Sequence, residues 1–466
     1  MCRYGEIHYK EHYACFHCRK AFRYPQSTTR PQFIISLFSF IGFLLLGMLL
    51  VVLSLTVLFM QQRTQKHAAA NIQHYEYVFP DGWMYVYDMD HHHALVKRVQ
   101  LPTTKGVRGP IAHAATGMLY ISYGSDGPSG TGYLLKCNLV TDQIMWNISY
   151  PYPVDTIGIT PDGKTIYQAG GEKNPLGIWH RINAATGKEI GNITSSAGSG
   201  PHNTIVSLNG SHVYMGGLNA DYLVVADTAS NTVIKQIGPL EHGAGRPFTI
   251  NGKETLLFTT GSRSFGFQVS DITTSKVLYT VPINGFSPSR FCCSYNHGIS
   301  LSPDEKELYV MDGPNSYVHV FDVSGLPTVP PKQIADIAVT PITGSENPCV
   351  INCGREGWLQ HSVDGRFVYV GDAGDVIDTA TRKVVAHLPP LTNTRKFLEI
   401  DWQNGLPIFT SQTKGVGYIT HSLPGSTPTS SITNFPTTPI SGQSSLNFVV
   451  GPDTRKGCHY IFASQT

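Results

Sequence analysis

From Trp83 onward, apolar and polar residues alternate with a period of two over many short stretches. Tyr85-Val86-Tyr87 and Tyr317-Val318-His319-Val320 are two examples. Side chains two residues apart lie on the same face of a β-strand, so this alternation predicts half-buried strands rather than helices. Gly, Asp and Asn separate the stretches. They favour tight turns because Asp and Asn side chains bond the nearby backbone and Gly accepts positive φ.

Two turn markers recur seven times each along this part of the chain. The first is an Asx-type turn between two strands, and it begins at Asp88, Asn138, Asn183, Asp227, Asp271, Asp322 and Asp378. The second is a hairpin with a polar or Gly tip before an aromatic strand, and its tips are Gly117, Gly163, Gly210, Gly252, Glu305, Gly365 and Gly405. Four short strands in a repeat of about 45 residues are typical of a β-propeller blade. The sequence therefore predicts an all-β fold, a seven-bladed β-propeller over residues 77–420.

The order of the two markers predicts how the ring closes. The first Asx turn, at Asp88, precedes the first hairpin, whereas the last hairpin, at Gly405, has no Asx turn after it. We therefore expect the N-terminal strands to close the propeller, with Trp83–Leu101 as the two outer strands of a blade. Its inner strands would come from Lys396–Thr410. Such closure pairs strand edges that would otherwise stay open.

A membrane span is predicted before the propeller. Residues 33–60 contain no charged side chain in 28 positions, and about 20 apolar residues suffice to cross a bilayer as a helix. A cleaved signal peptide is the main alternative, but the polar head of 32 residues and the length of the apolar run favour a retained anchor. Basic residues are more frequent before the span than after it, which places the N-terminus in the cytoplasm and the propeller outside. The predicted localisation is the cell membrane, with a single span.

The segments that flank the span and the propeller have their own predicted roles. Residues 1–32 form a cytoplasmic head whose pattern CRYG…HYACFxCRKxF resembles a zinc-ribbon-like segment. This resemblance implies a Zn²⁺ site with the ligands Cys2, Cys15, Cys18 and His12, although His8 or His17 would also complete a set of four. The alternative is a basic tail without a metal. Residues 61–76 are predicted to be a stalk, and residues 421–466 a Ser/Thr/Pro-rich tail.

Charge limits the partners of the exterior part. The chain has 34 Lys and Arg and 32 Asp and Glu, and residues 1–32 hold six of the former and two of the latter. The remainder therefore carries 28 basic and 30 acidic residues, a formal charge of −2. A nucleic-acid partner is excluded because it requires a strongly basic surface. The membrane is a predicted partner, and the ligand, protein or small molecule, stays open.

Several repeats resemble a known family. The segments TPDGKTIYQAGG (160–171) and SPDEKELYVMDG (302–313), with DTATRKVV (378–385), are similar to YVTN-type β-propeller repeats. Lactonase and surface-layer propellers are related to this family. The resemblance implies the propeller fold, but not one activity, since propellers carry many functions.

Ionisable residues are expected around the central axis, because the innermost strand of each blade lines the axial channel. Aligning these strands places Asp155, His202 and His297 at one register, and His113 and His361 at another. His242 and Arg246 precede the inner strand of the fourth blade, and Glu399 and Asp401 lie in the seventh. The functional interpretation is a metal or anionic-ligand site, since imidazole is a common metal ligand. The alternative is that each His bonds a neighbouring blade in a narrow polar channel.

Four cysteines precede the inner strands of two adjacent blades. Cys292 and Cys293 come before the fifth, and Cys349 and Cys353 before the sixth. Outside the cell they are disulfide candidates for one or two bridges, with the connectivity open.

The function predicted from the sequence is a membrane-anchored extracytoplasmic propeller that acts as a binding or scaffolding module. No cofactor is predicted for the propeller. One alternative is a metal-assisted hydrolase or lactonase-like enzyme that uses His202, His297 and Asp155 in the axial funnel. A second alternative is a transmembrane sensor that reports to the cytoplasmic head.

Overall fold

A computed structural model describes residues 72–411 of the chain, except 197, 242, 244, 263, 290, 292 and 293. Within this range the helices are two short 3₁₀ turns, Ala114–Thr116 and Pro389–Asn393. Neither is long and apolar enough to cross a membrane. The predicted head with its zinc ligands, the predicted span at 33–60 and the tail at 421–466 lie outside the described residues.

The described residues contain 29 strands. The first three are β1 (Gln73–Val78), β2 (Trp83–Asp88) and β3 (Ala94–Gln100). The first blade contains β4 (Val107–His113), β5 (Met118–Gly124), β6 (Gly132–Asn138) and β7 (Ile144–Tyr150). The second contains β8 (Ile157–Ile159), β9 (Thr165–Ala169), β10 (Ile178–Asn183) and β11 (Glu189–Thr194). The third contains β12 (Pro201–Val206), β13 (His212–Gly217), β14 (Leu223–Asp227) and β15 (Thr232–Ile237).

The remaining strands continue the same order. The fourth blade contains β16 (Phe248–Ile250), β17 (Leu256–Thr259), β18 (Gly266–Asp271) and β19 (Lys276–Pro282). The fifth contains β20 (Ile299–Leu301), β21 (Glu307–Asp312), β22 (Tyr317–Asp322) and β23 (Lys332–Ala338). The sixth contains β24 (Trp358–His361), β25 (Phe367–Gly371), β26 (Asp375–Asp378) and β27 (Lys383–His387). The last two strands are β28 (Phe397–Gln403) and β29 (Leu406–Thr410).

The described strands form seven antiparallel sheets, six with four strands and one with five. This confirms the predicted seven-bladed propeller. In each four-stranded blade the first strand is innermost. β4 is buried along its whole length, whereas the outermost strand, β7, alternates between exposed and half-buried residues. The predicted Asx turns join the outer strands: the side chain of Asn138 accepts a hydrogen bond of 2.9 Å from the backbone N–H of Val140.

A repeated tyrosine packs each blade against the next. The aromatic residue after the hairpin tip is a fully buried tyrosine in five blades, as Tyr120, Tyr167, Tyr214, Tyr309 and Tyr369, and a fully buried phenylalanine, Phe258, in the fourth. Several of these hydroxyls reach the following blade: Tyr120 donates to the backbone carbonyl of Ala184 at 3.0 Å, and Tyr214 donates to Glu254 at 2.8 Å. The repeat thus supplies a buried ring and a bonded hydroxyl where blades contact only their neighbours.

The closing blade joins both ends of the ring, as predicted, but one of its two inner strands differs from the prediction. Its order is β29-β28-β1-β2-β3. β2 and β3 are outer strands, as predicted. The expected second strand, β29, instead lies on the far edge of β28, where Pro407, which lacks a backbone N–H, is tolerated. Its place is taken by β1, so the prediction of a stalk reaching residue 76 is wrong.

The reason for this error lies in the residues of β1. One face of the strand carries Tyr75 and Tyr77, and the other carries His74 and Glu76. The polar face looks like a solvated stalk in the sequence. In the fold it faces Glu399 and Asp401 of β28, because His74 pairs with Asp401 and Glu76 with Glu399 across the ladder. Residues 74–77 alternate polar and apolar side chains as a strand does, but the sequence does not show that the polar face is buried against β28.

Candidate functional site

A ring of ionisable residues lies where the chain enters the innermost strands. In the first three blades Pro110, Ile157 and Thr204 occupy equivalent ladder positions. The residues two positions earlier are Arg108, Asp155 and His202. The same offset gives Arg246, His297 and Arg395 in the fourth, fifth and seventh blades, and Glu356 comes one residue earlier in the sixth. All seven side chains are buried. The predicted register of Asp155, His202 and His297 therefore extends around the ring.

Arg246 holds together residues from four blades. Its Nε donates to Oε2 of Glu172 at 2.9 Å, and Glu172 follows the second strand of the second blade. Its Nη1 donates to Oγ of Ser294 at 2.9 Å and to Oε2 of Glu356 at 3.2 Å. Ser294 and Glu356 precede the inner strands of the fifth and sixth blades. One guanidinium therefore links loops on opposite sides of the axis.

Two further arginines extend this group. We call it the axial cluster, and it contains the seven ring residues together with the carboxylates Asp126, Glu172 and Glu346 that contact them. Nη2 of Arg108 donates to Oδ2 of Asp126 at 2.9 Å. Nη1 of Arg395 lies 3.3 Å from Oε1 of Glu356, and its Nε lies 3.1 Å from Oε1 of Glu346. Buried guanidinium–carboxylate pairs of this kind need several partners each, because both charges have left water.

The two axial histidines lie beside this network. The rings of His202 and His297 are stacked with centroids 6.1 Å apart. Nδ1 of His202 is 3.1 Å from Oδ2 of Asp155, and its Nε2 is 3.8 Å from Oε2 of Glu172. Among the described residues, no hydrogen bond of good geometry reaches either nitrogen of His202 or either carboxylate oxygen of Asp155. Ligand atoms of Asp155, Glu172 and His202 lie within 4.8 Å of one another. This set is compatible with a cation.

Burial and neighbouring charges together determine which residues of the axial cluster are ionised. Burial lowers the pKa of His297 well below its usual value, so this ring is neutral. Burial would raise the pKa of Glu172 and Glu356, but the positive charges around them outweigh it and lower both below the usual range. Because His297 is neutral, Arg246 and Arg395 supply the charge that keeps Glu356 ionised. The axial carboxylates therefore already have cationic partners within the protein.

A loop from the sixth blade covers this cluster. It contains the disulfide between Cys349 and Cys353. Between these cysteines, Asn352 donates to Oε1 of Glu172 at 2.9 Å and contacts Asp126, and it accepts from Nζ of Lys173 at 2.9 Å. The loop thus reaches from the sixth blade to the first and second. Cys292 and Cys293 lie outside the described residues, as does His242.

Little space remains inside the axial channel. The cavity near Arg108, Asn203, Trp358 and Arg395 has a volume of about 40 Å³. A buried water needs about 10–15 Å³ on the same measure, so the cavity holds a few waters.

His113 and His361 are not part of the axial cluster and do not share a register. His113 ends β4, and its Nε2 lies 2.9 Å from the backbone carbonyl of Pro161 in the second blade. Nδ1 of His361 lies 2.9 Å from Oγ of Ser300 in the fifth blade. Each histidine hydrogen-bonds a neighbouring blade, which is the arrangement expected of the structural alternative.

Glu399 and Asp401 belong to a separate group at the closing blade. Nδ1 of His74 is 2.7 Å from Oδ1 of Asp401 and 3.5 Å from Oε1 of Glu399. The hydrogen bond to Asp401 raises the pKa of His74 to about 10, with a further contribution from Glu399. Burial raises the pKa of Glu399 to about 8. These three residues form the seam site, named for the junction of β1 and β28.

Several residues of the axial cluster were missed in the sequence. Arg108 and Arg395 share the register of Asp155, so a strict ladder alignment would have found them. Asp126 and Glu172 follow the second strand of their blades, at positions that no turn marker fixes. Only the folded ring brings them to the axis.

Comparisons with known proteins show no family for this chain. No family profile matches the chain, and no curated protein matches it. Hydrazine synthase from Kuenenia stuttgartiensis is a similar solved structure, with a TM-score of 0.45 and 14% sequence identity. The match covers 68% of this chain and 89% of that one. At this level of similarity the match supports no inference about activity.

Proposed function

We propose that this protein is a single-pass membrane protein whose extracytoplasmic propeller acts as a binding or scaffolding module. The observation that carries the proposal is the closed axis. Ligand pockets usually have volumes of about 300–1,000 Å³, whereas the axial cavity measures about 40 Å³. A partner would therefore bind the outer surfaces of the disc. The axial cluster would keep the seven blades in fixed positions.

The electrostatics of the axis support the same proposal. Both oxygens of Glu172 accept hydrogen bonds, one from Arg246 and the other from Asn352. A divalent cation at Asp155 and His202 would lie close to Arg108 and Arg246, and like charges in a buried site repel strongly. The buried arginines supply the positive charge that a metal ion would otherwise bring to these carboxylates.

A metal-assisted hydrolase is the second candidate. Its support is the proximity of Asp155, Glu172 and His202, together with the poorly bonded atoms of Asp155 and His202. Three protein ligands with an open position are typical of catalytic zinc. This candidate requires the loop of Asn352 to move away from Glu172, because Asp155, Glu172 and His202 are all buried.

Metal analysis of the full-length chain separates the two candidates. We expect the same metal content per chain in wild type, Asp155→Asn and His202→Ala, measured by plasma mass spectrometry after dialysis. His212→Ala serves as the matched control, since His212 also pairs with a carboxylate, Glu254, at 2.7 Å but away from the axis. Loss of one metal ion per chain in both axial variants, with His212→Ala unchanged, would contradict the binding-module proposal and support the hydrolase.

The topology has a separate test. Protease added to intact cells is expected to digest the propeller and to leave an N-terminal tag protected. Digestion of the tag with protection of the propeller would contradict the proposed orientation.

A further inference from the structure

The seam site lies where the two ends of the propeller join. β1 leads the ring at its N-terminal end, and β28 belongs to its C-terminal end. His74 of β1 and Asp401 of β28 are direct partners in the ladder, and Glu399 pairs with Glu76 two residues along. Side chains of such pairs project from the same face of the sheet. The arrangement brings an imidazole and carboxylates together across the junction.

One of the two measured distances within the seam site is close to the separation of two ligands on a small metal ion, and the other is that of a hydrogen bond. Two ligands of a tetrahedral zinc ion, with bonds of about 2.0–2.1 Å, lie about 3.3–3.4 Å apart. Nδ1 of His74 lies 3.5 Å from Oε1 of Glu399 and 2.7 Å from Oδ1 of Asp401. The three ligand atoms lie within 4.8 Å of one another. The hydrogen bond between His74 and Asp401 would have to open for both side chains to bind one ion.

The carboxylates of the seam site have unused acceptor atoms. The side chains of Glu399 and Asp401 are completely buried. Within the described residues, neither Oε1 of Glu399 nor Oδ2 of Asp401 receives a hydrogen bond of good geometry. The other oxygen of Glu399 accepts from the backbone N–H of Val363 at 2.5 Å. Buried acceptors without donors are costly, and a cation would satisfy both.

The charge around the seam site differs from that of the axial cluster. The main electrostatic influences on Glu399 come from His74, Asp401 and Asp364, none of which is an arginine or lysine. Glu76, which is also buried, adds a further carboxylate to this face. The axial carboxylates have guanidinium partners, which do not lose their charge, whereas these carboxylates face one imidazolium, whose Nδ1 proton a metal ion can displace. The side chain of His74 is 17% exposed, which gives an ion access from solvent.

We propose that the seam site binds one Zn²⁺ ion through His74, Glu399 and Asp401, with water as the fourth ligand. One imidazole and two carboxylates suit zinc, while magnesium and calcium prefer oxygen ligands alone. Binding displaces the Nδ1 proton of His74, since a ligating imidazole nitrogen must be unprotonated. The ion clasps β1 onto β28 and so closes the propeller ring beside the predicted tether.

Hydrogen exchange of the full-length chain in detergent, with and without Zn²⁺, tests this proposal. Cys15→Ser and Cys18→Ser are present in every sample, because they remove two predicted zinc ligands of the head. At a Zn²⁺ concentration 100 times Kd, amides of β1 that exchange by opening of the seam should exchange about 100-fold more slowly. Amides of β12, in the third blade, report on non-specific effects and should not change.

Two variants and a second cation complete the experiment. His74→Gln and Asp401→Asn should each abolish the protection of β1 by Zn²⁺, whereas His202→Ala should retain it. Mg²⁺ should give no protection. Absence of protection in the wild type, equal protection in His74→Gln, or equal protection by Mg²⁺ would overturn the proposal. If Asp401→Asn fails to fold, His74→Gln decides the outcome, since His74 is partly exposed. An axial metal would instead disappear with His202→Ala, so the two proposals fail separately.

Discussion

Replacing Arg246 by methionine tests whether the axial cluster stabilises the ring. The substitution keeps much of the side-chain length but removes the charge. Glu172 and Glu356 then lose partners at 2.9 and 3.2 Å while both stay buried. Removing one partner of a buried ion pair typically costs about 3–5 kcal/mol. We expect a loss in this range rather than twice as much, because Glu172 keeps Asn352 and Glu356 keeps Arg395.

Urea unfolding followed by tryptophan fluorescence measures this effect. Arg366→Met is the matched control, because Arg366 pairs with Asp90 at 3.1 Å and contacts Asp364 but is half exposed. Exposed ion pairs contribute about 0–1 kcal/mol, so the control should lose no more than that. Adding Glu172→Gln and Glu356→Gln to Arg246→Met should restore at least half of the lost stability. Equal losses in Arg246→Met and Arg366→Met would refute the reasoning.

Three further predictions concern other parts of the fold. Burial lowers the pKa of His361 to about 3, so its contribution to stability falls by about 1.4 kcal/mol per pH unit as the pH drops from about 6.5 towards 3. His361→Gln should flatten the pH dependence of the unfolding free energy, and equal slopes for both proteins would contradict this. Deletion of residues 1–72 should preserve the β circular dichroism spectrum and leave the protein soluble, whereas deletion of residues 1–78 removes β1 and should cause aggregation; a folded, soluble product of the longer deletion would show that β1 is dispensable. Gly216→Ala should lower the free energy of unfolding by about 1–3 kcal/mol in urea, since its Cβ would lie 2.4 Å from the backbone carbonyl of Gly245; wild-type stability would mean that the loop moves at little cost.

The blade repeat could be predicted from the sequence because it is local. Asx turns such as that at Asn138 act within a few residues, and the alternation of Tyr317 to Val320 reports on one strand. The place of the closing strand could not be identified in this way. β1 alternates polar and apolar residues as other strands do, but only pairing with β28, more than 300 residues away, buries the face of His74 and Glu76.

The candidate site also combines residues that the local repeat predicts with residues that only the complete fold brings together. Asp155, His202 and His297 could be aligned because they occupy one register of a repeated strand. Glu172 and Asn352 lie in loops of unequal length, so their approach to the axis depends on the geometry of the whole ring. From the sequence alone, Glu399 and Asp401 of the seam site could not be distinguished from the residues that face the axis. Glu399 and Asp401 share an inner strand with Arg395, but their partner, His74, comes from the other end of the chain.

The most direct test of the central claim is an anomalous difference map from crystals of the full-length chain grown with Zn²⁺ and measured at the zinc edge. The claim is that arginines supply the positive charge beside the axial carboxylates and that the axial cluster holds no metal. We expect no anomalous peak among Asp155, Glu172 and His202, with the Arg246 guanidinium in hydrogen-bond contact with Glu172. A peak bonded to His202 and Asp155, with Arg246 turned away from Glu172, would contradict the account.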